Sequence, residues 1–273
     1  MSIQDHFVPT KGFTFAEFDF AQLEIRVLAL ASMDSQLIFD ITNGQDMHTY
    51  FASKIFNKPE QEIETKERKI AKGFSFQLQY GSSAKGIARF WDVEEDLAKT
   101  FIEEYYTRYP GIYDWQEGVL KEATASMEHL TDRNKDGELV PRYYIPSIWK
   151  DASGYPLSKY GVLGHISKYT GEAYVPPTKV KNYPIQAAAA DIMAFQLVKL
   201  HEKYKNTAAD VYLCNTVHDS VLVELRDLEF IEPIKGLLES VPQTLQQLFD
   251  IKSPVLFPVD VSMGKTLQEV KNH

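Results

Sequence analysis

Arg68, Lys72, Phe76 and Tyr80 recur every four residues in the stretch Glu64 to Gly81, and on a 3.6-residue helix each such step turns only about 40° past a full turn. They form a slanting stripe of two cations followed by two rings, which suits an anionic ligand with a flat part, such as a nucleotide. Ile70, Phe74 and Leu78 fall on the other side, where they can pack on a body. Two basic residues at this spacing also read as a solvated helix face, and two aromatics as core, so the stripe by itself leaves both readings open. Gly73 disturbs an ordinary helix, because an interior Gly costs about 1 kcal/mol relative to Ala. It marks a close approach or a point of movement.

Two aspartates are the second chemical feature. Asp19 falls between an aromatic run with partial alternation, Phe13 to Phe20, and a helical pattern, Ala21 to Ser32, with Leu23, Val27 and Leu30 on one face. An aspartate at such a junction also serves as an N-cap. Asp219 stands with His218 and Ser220 at the tip of a hairpin formed by two strands within Val211 to Leu225, where a polar trio is also an ordinary turn. Two carboxylates at strand ends, a cationic helix between them in sequence, and no nucleophile with a base partner point to metal-assisted phosphoryl transfer. In that chemistry two Mg2+ ions about 4 Å apart share carboxylates, activate a 3′ hydroxyl and steady a leaving pyrophosphate.

The elements that must position these groups follow from periodicity and breakers. Asp46 to Asn57 reads as a helix, and Ser82 to Lys121 as three helical pieces punctuated by Gly86, Asp92 and Pro110. Tyr105, Tyr106, Tyr109, Tyr113 and Trp115 suit base stacking or a core. Between Leu130 and Lys181 repeated Pro and Gly break any long helix, predicting short strands and turns in an exposed hairpin insertion. Asn182 to Tyr204 is predicted as a helix after Pro184, Ile231 to Phe249 as one amphipathic helix, and the run VLFPVDVSMG as a closing strand.

Composition bounds the rest. With 44% hydrophobic residues over 273, the chain can bury a sizeable core in one or two domains. It contains no apolar run of about 18 residues and no basic-plus-apolar leader. With a single cysteine, Cys214, it has no internal disulfide framework, so a reducing, cytoplasmic setting is expected, the host cytoplasm for a viral protein. A net charge of -9 argues against a nucleic-acid partner on average. Locally the balance reverses: from Glu64 to Arg89, Lys66, Arg68, Lys69, Lys72, Lys85 and Arg89 oppose only Glu64 and Glu67. A basic element in an acidic chain is compatible with one anionic ligand, or with a second, basic partner that grips the polymer.

On its motifs the chain resembles the family A DNA polymerases, the DNA polymerase I type. DFAQLEIR, Asp19 to Arg26, resembles the family's first palm motif, Asp-Tyr-Ser-Gln-Ile-Glu-Leu-Arg. Arg68, Lys72, Phe76, Tyr80 and Gly81 match its fingers-helix pattern, and VHDS, Val217 to Ser220, is similar to its last palm motif, His-Asp-Glu. YPIQAAAADIM resembles the segment with a template-primer glutamine, and His48 stands where the family has a nucleotide-contacting histidine.

The resemblance implies an α+β fold: an antiparallel-sheet palm at 1–42 and 182–273, an inserted mainly helical fingers subdomain at 43–181 with a hairpin-like insertion at about 130–181, and an absent thumb. It implies that Asp19, Asp219 and Lys72 are catalytic. Asp19 and Asp219, with the backbone carbonyl of Phe20, would hold two Mg2+ ions. Arg68, Lys72 and His48 would neutralise the dNTP triphosphate, Phe76 would stack at its sugar, Tyr80 would guard the template base, and Glu24 would crowd the ribose 2′ position. Gln22, Arg26, Asn182, Gln186 and His218 would touch primer-template DNA near the incoming nucleotide. Swing of the fingers helix about Gly73 and Gly81 would close the site over a correct pair.

Three departures accompany the match. Ser220 replaces the usual acidic residue, Gln77 occupies a position that is often Gly, and the Arg-rich loop expected before Asn182 is absent, with Lys179 and Lys181 the nearest substitutes. The expectation is one part of a split or phage-type polymerase, with a second chain supplying the thumb and an exonuclease, and no membrane partner. The alternative is a catalytically silent nucleic-acid-binding subunit. A single-subunit RNA polymerase shares the same plan, and Glu24 as a ribose gate argues for DNA.

Overall fold

The computed structural model describes residues 2–271 apart from 135 and 136, and its chain divides into two compact units. The segments up to Val27 and from Ala188 onward form one, and Leu28–Ala187 forms the other.

In the first unit the aromatic run becomes β1 (Thr14–Phe20), an inner strand of a four-stranded sheet. The sheet order is β7 (Val211–Val217), β8 (Ser220–Leu225), β1 and β9 (Val259–Gly264), with antiparallel pairing throughout. Because successive side chains point to opposite faces, Ala16, Phe18 and Phe20 enter the main core and Phe15, Glu17 and Asp19 share the other face. Phe15 and Leu222 pack there with Leu267 and Val270 of the last helix, α11 (Leu267–Lys271).

The helical pattern after β1 becomes α1 (Leu23–Ser32), and a long helix, α8 (Pro177–Tyr204), returns the chain to the first unit. The predicted start of α8 at Asn182 is five residues late. Pro184 lies within it rather than at its opening. The single helix predicted from Ile231 to Phe249 is two, α9 (Ile231–Glu239) and α10 (Val241–Phe249), broken at Ser240. Pro242 explains the break, since proline is tolerated in a first turn but not in a helix interior. Gln196 of α8 ties the two together by donating to the carbonyls of Leu237 and Leu238 at 3.0 and 2.7 Å.

The second unit holds α2 (Ser35–Thr42), α3 (Met47–Phe56), α4 (Thr65–Gln79), α5 (Ala84–Trp91), α6 (Glu95–Arg108) and α7 (Pro110–Ala125). Gly86 lies inside α5 rather than breaking it, and Ser83 caps that helix by accepting from the Gly86 N–H at 3.2 Å. A knot of rings joins α3, α4 and α6. Phe51 stands 5.4 Å from Phe101 and 5.3 Å from Tyr105, and Phe74 stands 5.4 Å from Phe101. Tyr105 and Tyr109 are therefore core residues.

The segment predicted as an exposed hairpin insertion is a three-stranded antiparallel sheet of β2 (Glu128–Arg133), β3 (Leu139–Pro146) and β4 (Lys159–Leu163), followed by the short pair β5 (His165–Ile166) and β6 (Ala173–Tyr174). It is not peripheral: Tyr143, Ile145 and Val162 bury themselves against Val119 and Ala123 of α7. Alternation in β3 supplies that buried face.

Gly73 is explained by a close approach. A Cβ there would lie 1.8 Å from the Trp91 indole, which occupies the space a side chain would need. Gly73→Ala is expected to destabilise the chain by about 1–3 kcal/mol through overpacking, read as a lower urea midpoint. An unchanged midpoint would show that Trp91 repacks freely. Gly81, at φ 75°, ends α4 in a left-handed turn where a Cβ would meet Thr178 at 3.0 Å.

Candidate active site

In the first unit, Asp19 lies one residue from the end of β1 and is exposed, on the sheet face that also carries Glu17. It pairs directly with Ser220 on β8 and with Asp260 on β9, and cross-strand partners share a face. Asp219 sits beside it in the two-residue turn between β7 and β8, and its carbonyl accepts the Phe20 N–H at 3.0 Å. The turn is tight enough to force His218 to φ 54°, a left-handed conformation that costs a non-glycine residue energy. Gln22 adopts φ 57° at the junction of β1 and α1. Asp219 is thus set by unusual local backbone and Asp19 by strand register.

Negative charge gathers on this face. Partial desolvation, then the neighbouring charges of Asp219, Glu17 and Asp260, raise the Asp19 pKa to about 6, with Lys271 offsetting only part. Like charges placed opposite one another in a sheet are destabilising, and Asp19 and Asp260 are so placed. Among the described residues no three His, Cys, Asp or Glu side chains form a finished metal cage. Mg2+ does not require one, since it is commonly bound by one or two carboxylates with water and substrate phosphates. Asp19 and Asp219 fit that pattern. Phe20, whose carbonyl was expected as a further ligand, is the last residue of β1, with its ring buried.

In the second unit, the stripe lies along α4 as its spacing requires. Arg68, Lys72 and Phe76 are exposed, Tyr80 is half-buried at the helix end, and Phe74 and Leu78 are buried on the opposite side. The Lys72 ammonium stands 5.7 Å from the Phe76 ring centre, and His48 of α3 lies 6.5 Å from the same ring. His48 is buried, and desolvation first, then the charges of Arg68 and Lys72 against that of Asp46, lowers its pKa to about 4. It is therefore neutral near pH 7 and brings no charge of its own. Its Nδ1 is buried and lacks a hydrogen-bond partner, a condition a ligand would relieve.

Asp46 completes this cluster and was not anticipated from sequence beyond the start of its helix. It caps α3 by accepting the His48 and Thr49 N–H groups, both at 3.2 Å, and it also accepts from the Arg68 guanidinium at 2.7 and 3.2 Å. Burial pushes its carboxyl up, but these hydrogen bonds prevail and bring it down to about 2. The one available signal was a cap-type residue two positions before His48.

The remaining expected residues are less concentrated. Glu24 is half-buried in the first turn of α1, and Gln22 is exposed just before it. Arg26 is half-buried and donates to the main-chain carbonyls of Ala21 and Leu256, both at 2.8 Å, so it also braces the strand-to-helix junction. Asn182 and Gln186 lie four residues apart near the start of α8, half-buried and exposed respectively, and His218 is exposed at its turn.

A family model for family A DNA polymerases matches residues 1–269. The chain belongs to that family. Among curated relatives, the DNA polymerase I of Lactococcus lactis subsp. cremoris is 29% identical over 272 residues, which is 98% of this chain and 28% of that protein. The DNA polymerase I of Aquifex aeolicus is 29% identical over 255 residues, 91% of this chain and 38% of that protein. The chain thus spans roughly a third of the length of these family A polymerases. A solved POL domain of Pol1 from M. smegmatis, in complex with DNA primer-template and dNTP, has the same fold: the TM-score is 0.72 at 24% identity, over 98% of this chain and 42% of that one. Among the described residues of this family A chain, no helix is long and apolar enough to cross a membrane.

Two further acidic residues on the face of Asp19 escaped the motif reading. Asp260 belongs to a closing strand whose register only the sheet defines, and Glu17 was legible only as the residue two before Asp19, hence on its face.

Proposed function

We propose that this chain carries out template-directed DNA synthesis, transferring deoxynucleotides from dNTPs to a primer 3′ hydroxyl, with the first unit as palm and the second as fingers. The observation that carries this reading is the like-charged pair of Asp19 and Asp219, held at adjacent strand ends with too little positive charge to balance it. Bound Mg2+ would activate the primer hydroxyl and neutralise the leaving pyrophosphate. Asp19, Asp219 and the Phe20 carbonyl would hold those ions. Arg68 and Lys72 supply positive charge to the triphosphate, and the neutral His48 a hydrogen bond. Phe76 offers a ring to the sugar, Tyr80 stands at the template base, and Glu24 occupies the 2′ position of the incoming ribose. Gln22, Arg26, Asn182, Gln186 and His218 contact primer-template. The solved relative's complex with primer-template and dNTP supports this choice of ligands.

The net charge of -9 supports one more part of the reading, that a second chain supplies the grip on the duplex as a thumb. The test is single-nucleotide primer extension with Mg2+, with and without a protein fraction from the source. Extension should follow the template base, and Lys72→Ala should slow it about a hundredfold, the usual effect of losing one charge-stabilising donor. Tight primer-template binding with no extension in either condition would favour the silent binding subunit.

A further inference from the structure

The sheet face that carries Asp19 contains a second, buried carboxylate that the proposed reaction does not use. Glu17 is two residues before Asp19 on β1, shares its face, and is 7% exposed. Its Oε1 accepts the Ser220 hydroxyl at 2.8 Å and forms an ion pair with the Lys271 ammonium of α11. Ser220 is itself buried, 2% exposed, and its hydroxyl also lies 3.1 Å from the Val217 carbonyl across the turn. The Ser220 hydroxyl has one proton and faces two acceptors, so the charged one takes the stronger bond.

This arrangement reaches both aspartates through the backbone of the two strands. Ser220 follows Asp219 directly and is the cross-strand partner of Asp19. A bond that fixes Ser220 therefore fixes the turn that presents Asp219, while the Glu17 backbone is part of the strand that presents Asp19. Burying a carboxylate is costly unless it is paired and hydrogen-bonded. Here both conditions are met, by a lysine from the last helix and by the residue that stands where the family motif carries an acid.

We propose that Glu17 is a positioning residue for the divalent-cation site, a buried carboxylate that acts through the Ser220 hydroxyl under the cover of Lys271. The proposal rests on the reading of Asp19 and Asp219 as metal ligands. It makes the C-terminal helix part of the architecture behind the site, because α11 brings the lysine that lets the carboxylate be buried.

The test measures Mn2+ binding to the full chain by electron paramagnetic resonance, so that its readout is independent of turnover. Glu17→Gln keeps the size of the side chain and removes its charge. It should weaken Mn2+ binding about tenfold, a typical loss when a group that orients a metal ligand is changed, and Ser220→Ala should weaken it in the same direction. The decisive variant is Glu17→Gln combined with Ser220→Glu, which places a carboxylate at position 220 beside both aspartates and should recover most of the lost affinity. Circular dichroism melts accompany each variant. A lowered melting temperature with unchanged Mn2+ affinity in Glu17→Gln would make Glu17 purely structural and overturn the proposal, as would failure of the double variant to recover affinity while folded. If wild type shows no Mn2+ binding that Asp219→Ala removes, the metal reading fails, and this proposal falls with it.

Discussion

Asp219→Ala is expected to reduce single-nucleotide primer extension by about three orders of magnitude while leaving the fold intact. Charge stabilisation by a bound metal contributes several kcal/mol to a phosphoryl transfer, and about 1.4 kcal/mol corresponds to each tenfold in rate. On the proposed assignment of Asp19 and Asp219 as metal ligands, removing one of these two carboxylates should therefore cost about a thousandfold. The fold should survive for a specific reason. The bond that anchors this turn to β1 runs from the Phe20 N–H to the Asp219 main-chain carbonyl, and the strained backbone angle belongs to His218. Neither depends on the Asp219 side chain. The measurement pairs pre-steady-state extension with a melting curve. A rate within tenfold of wild type would place the metal ligands elsewhere, whereas a collapsed melting temperature would assign Asp219 to stability.

The second large effect lies in the second unit and concerns stability. Asp40 is 1% exposed. It accepts two bonds from the Arg108 guanidinium, at 2.8 and 2.7 Å, one from the Tyr109 hydroxyl at 2.7 Å and one from the Gln36 amide at 2.8 Å. Asp40→Ala leaves that guanidinium without its counter-charge and a buried tyrosine hydroxyl without this acceptor. A loss of about 3–5 kcal/mol is expected, as for breaking one side of a buried ion pair. Urea unfolding followed by tyrosine and tryptophan fluorescence reports it. A loss below about 1 kcal/mol would show that Arg108, which already stacks 3.8 Å from the Tyr50 ring centre, finds enough solvent or other partners on its own.

The same network predicts a pH dependence. Desolvation raises the Asp40 pKa, but the hydrogen bonds from Arg108, Tyr109 and Gln36 together with the Arg108 charge outweigh it, and the net shift is below the ordinary 3.8. A carboxylate whose folded pKa is depressed stabilises the fold fully above its unfolded pKa and loses that contribution as pH falls through the folded one. The stability gap between wild type and Asp40→Asn should therefore be constant above about pH 5 and shrink below about pH 4. A gap that persists at pH 3 would mean that the hydrogen bonds, and not the charge, carry the effect.

The local periods of the chain carried much of its architecture. Period four along Arg68, Lys72, Phe76 and Tyr80 predicts one helix with those side chains on one edge, and α4 has that form. Alternation before Asp19 and helical spacing after it place the residue at a strand-to-helix junction, where β1 and α1 meet. Local periods gave way where a breaker or a buried face overrode them. Pro242 divided the helix predicted over 231–249, and the turn-rich stretch after Leu130 hid a sheet with its own buried face.

Sequence by itself determined which residue types sit at which element ends, because helix and strand periods, caps and breakers act over a few residues, and the order of its motifs carried the family resemblance. Tertiary structure alone decided which of those residues meet. Asp19, Ser220 and Asp260 become neighbours only through the order β7-β8-β1-β9, and Lys271 reaches Glu17 across 254 positions. Asp46 turns from a helix cap into the partner of Arg68 only when α3 packs on α4. No local period encodes such pairings, since a strand fixes the face each side chain takes but not the strand that will lie beside it.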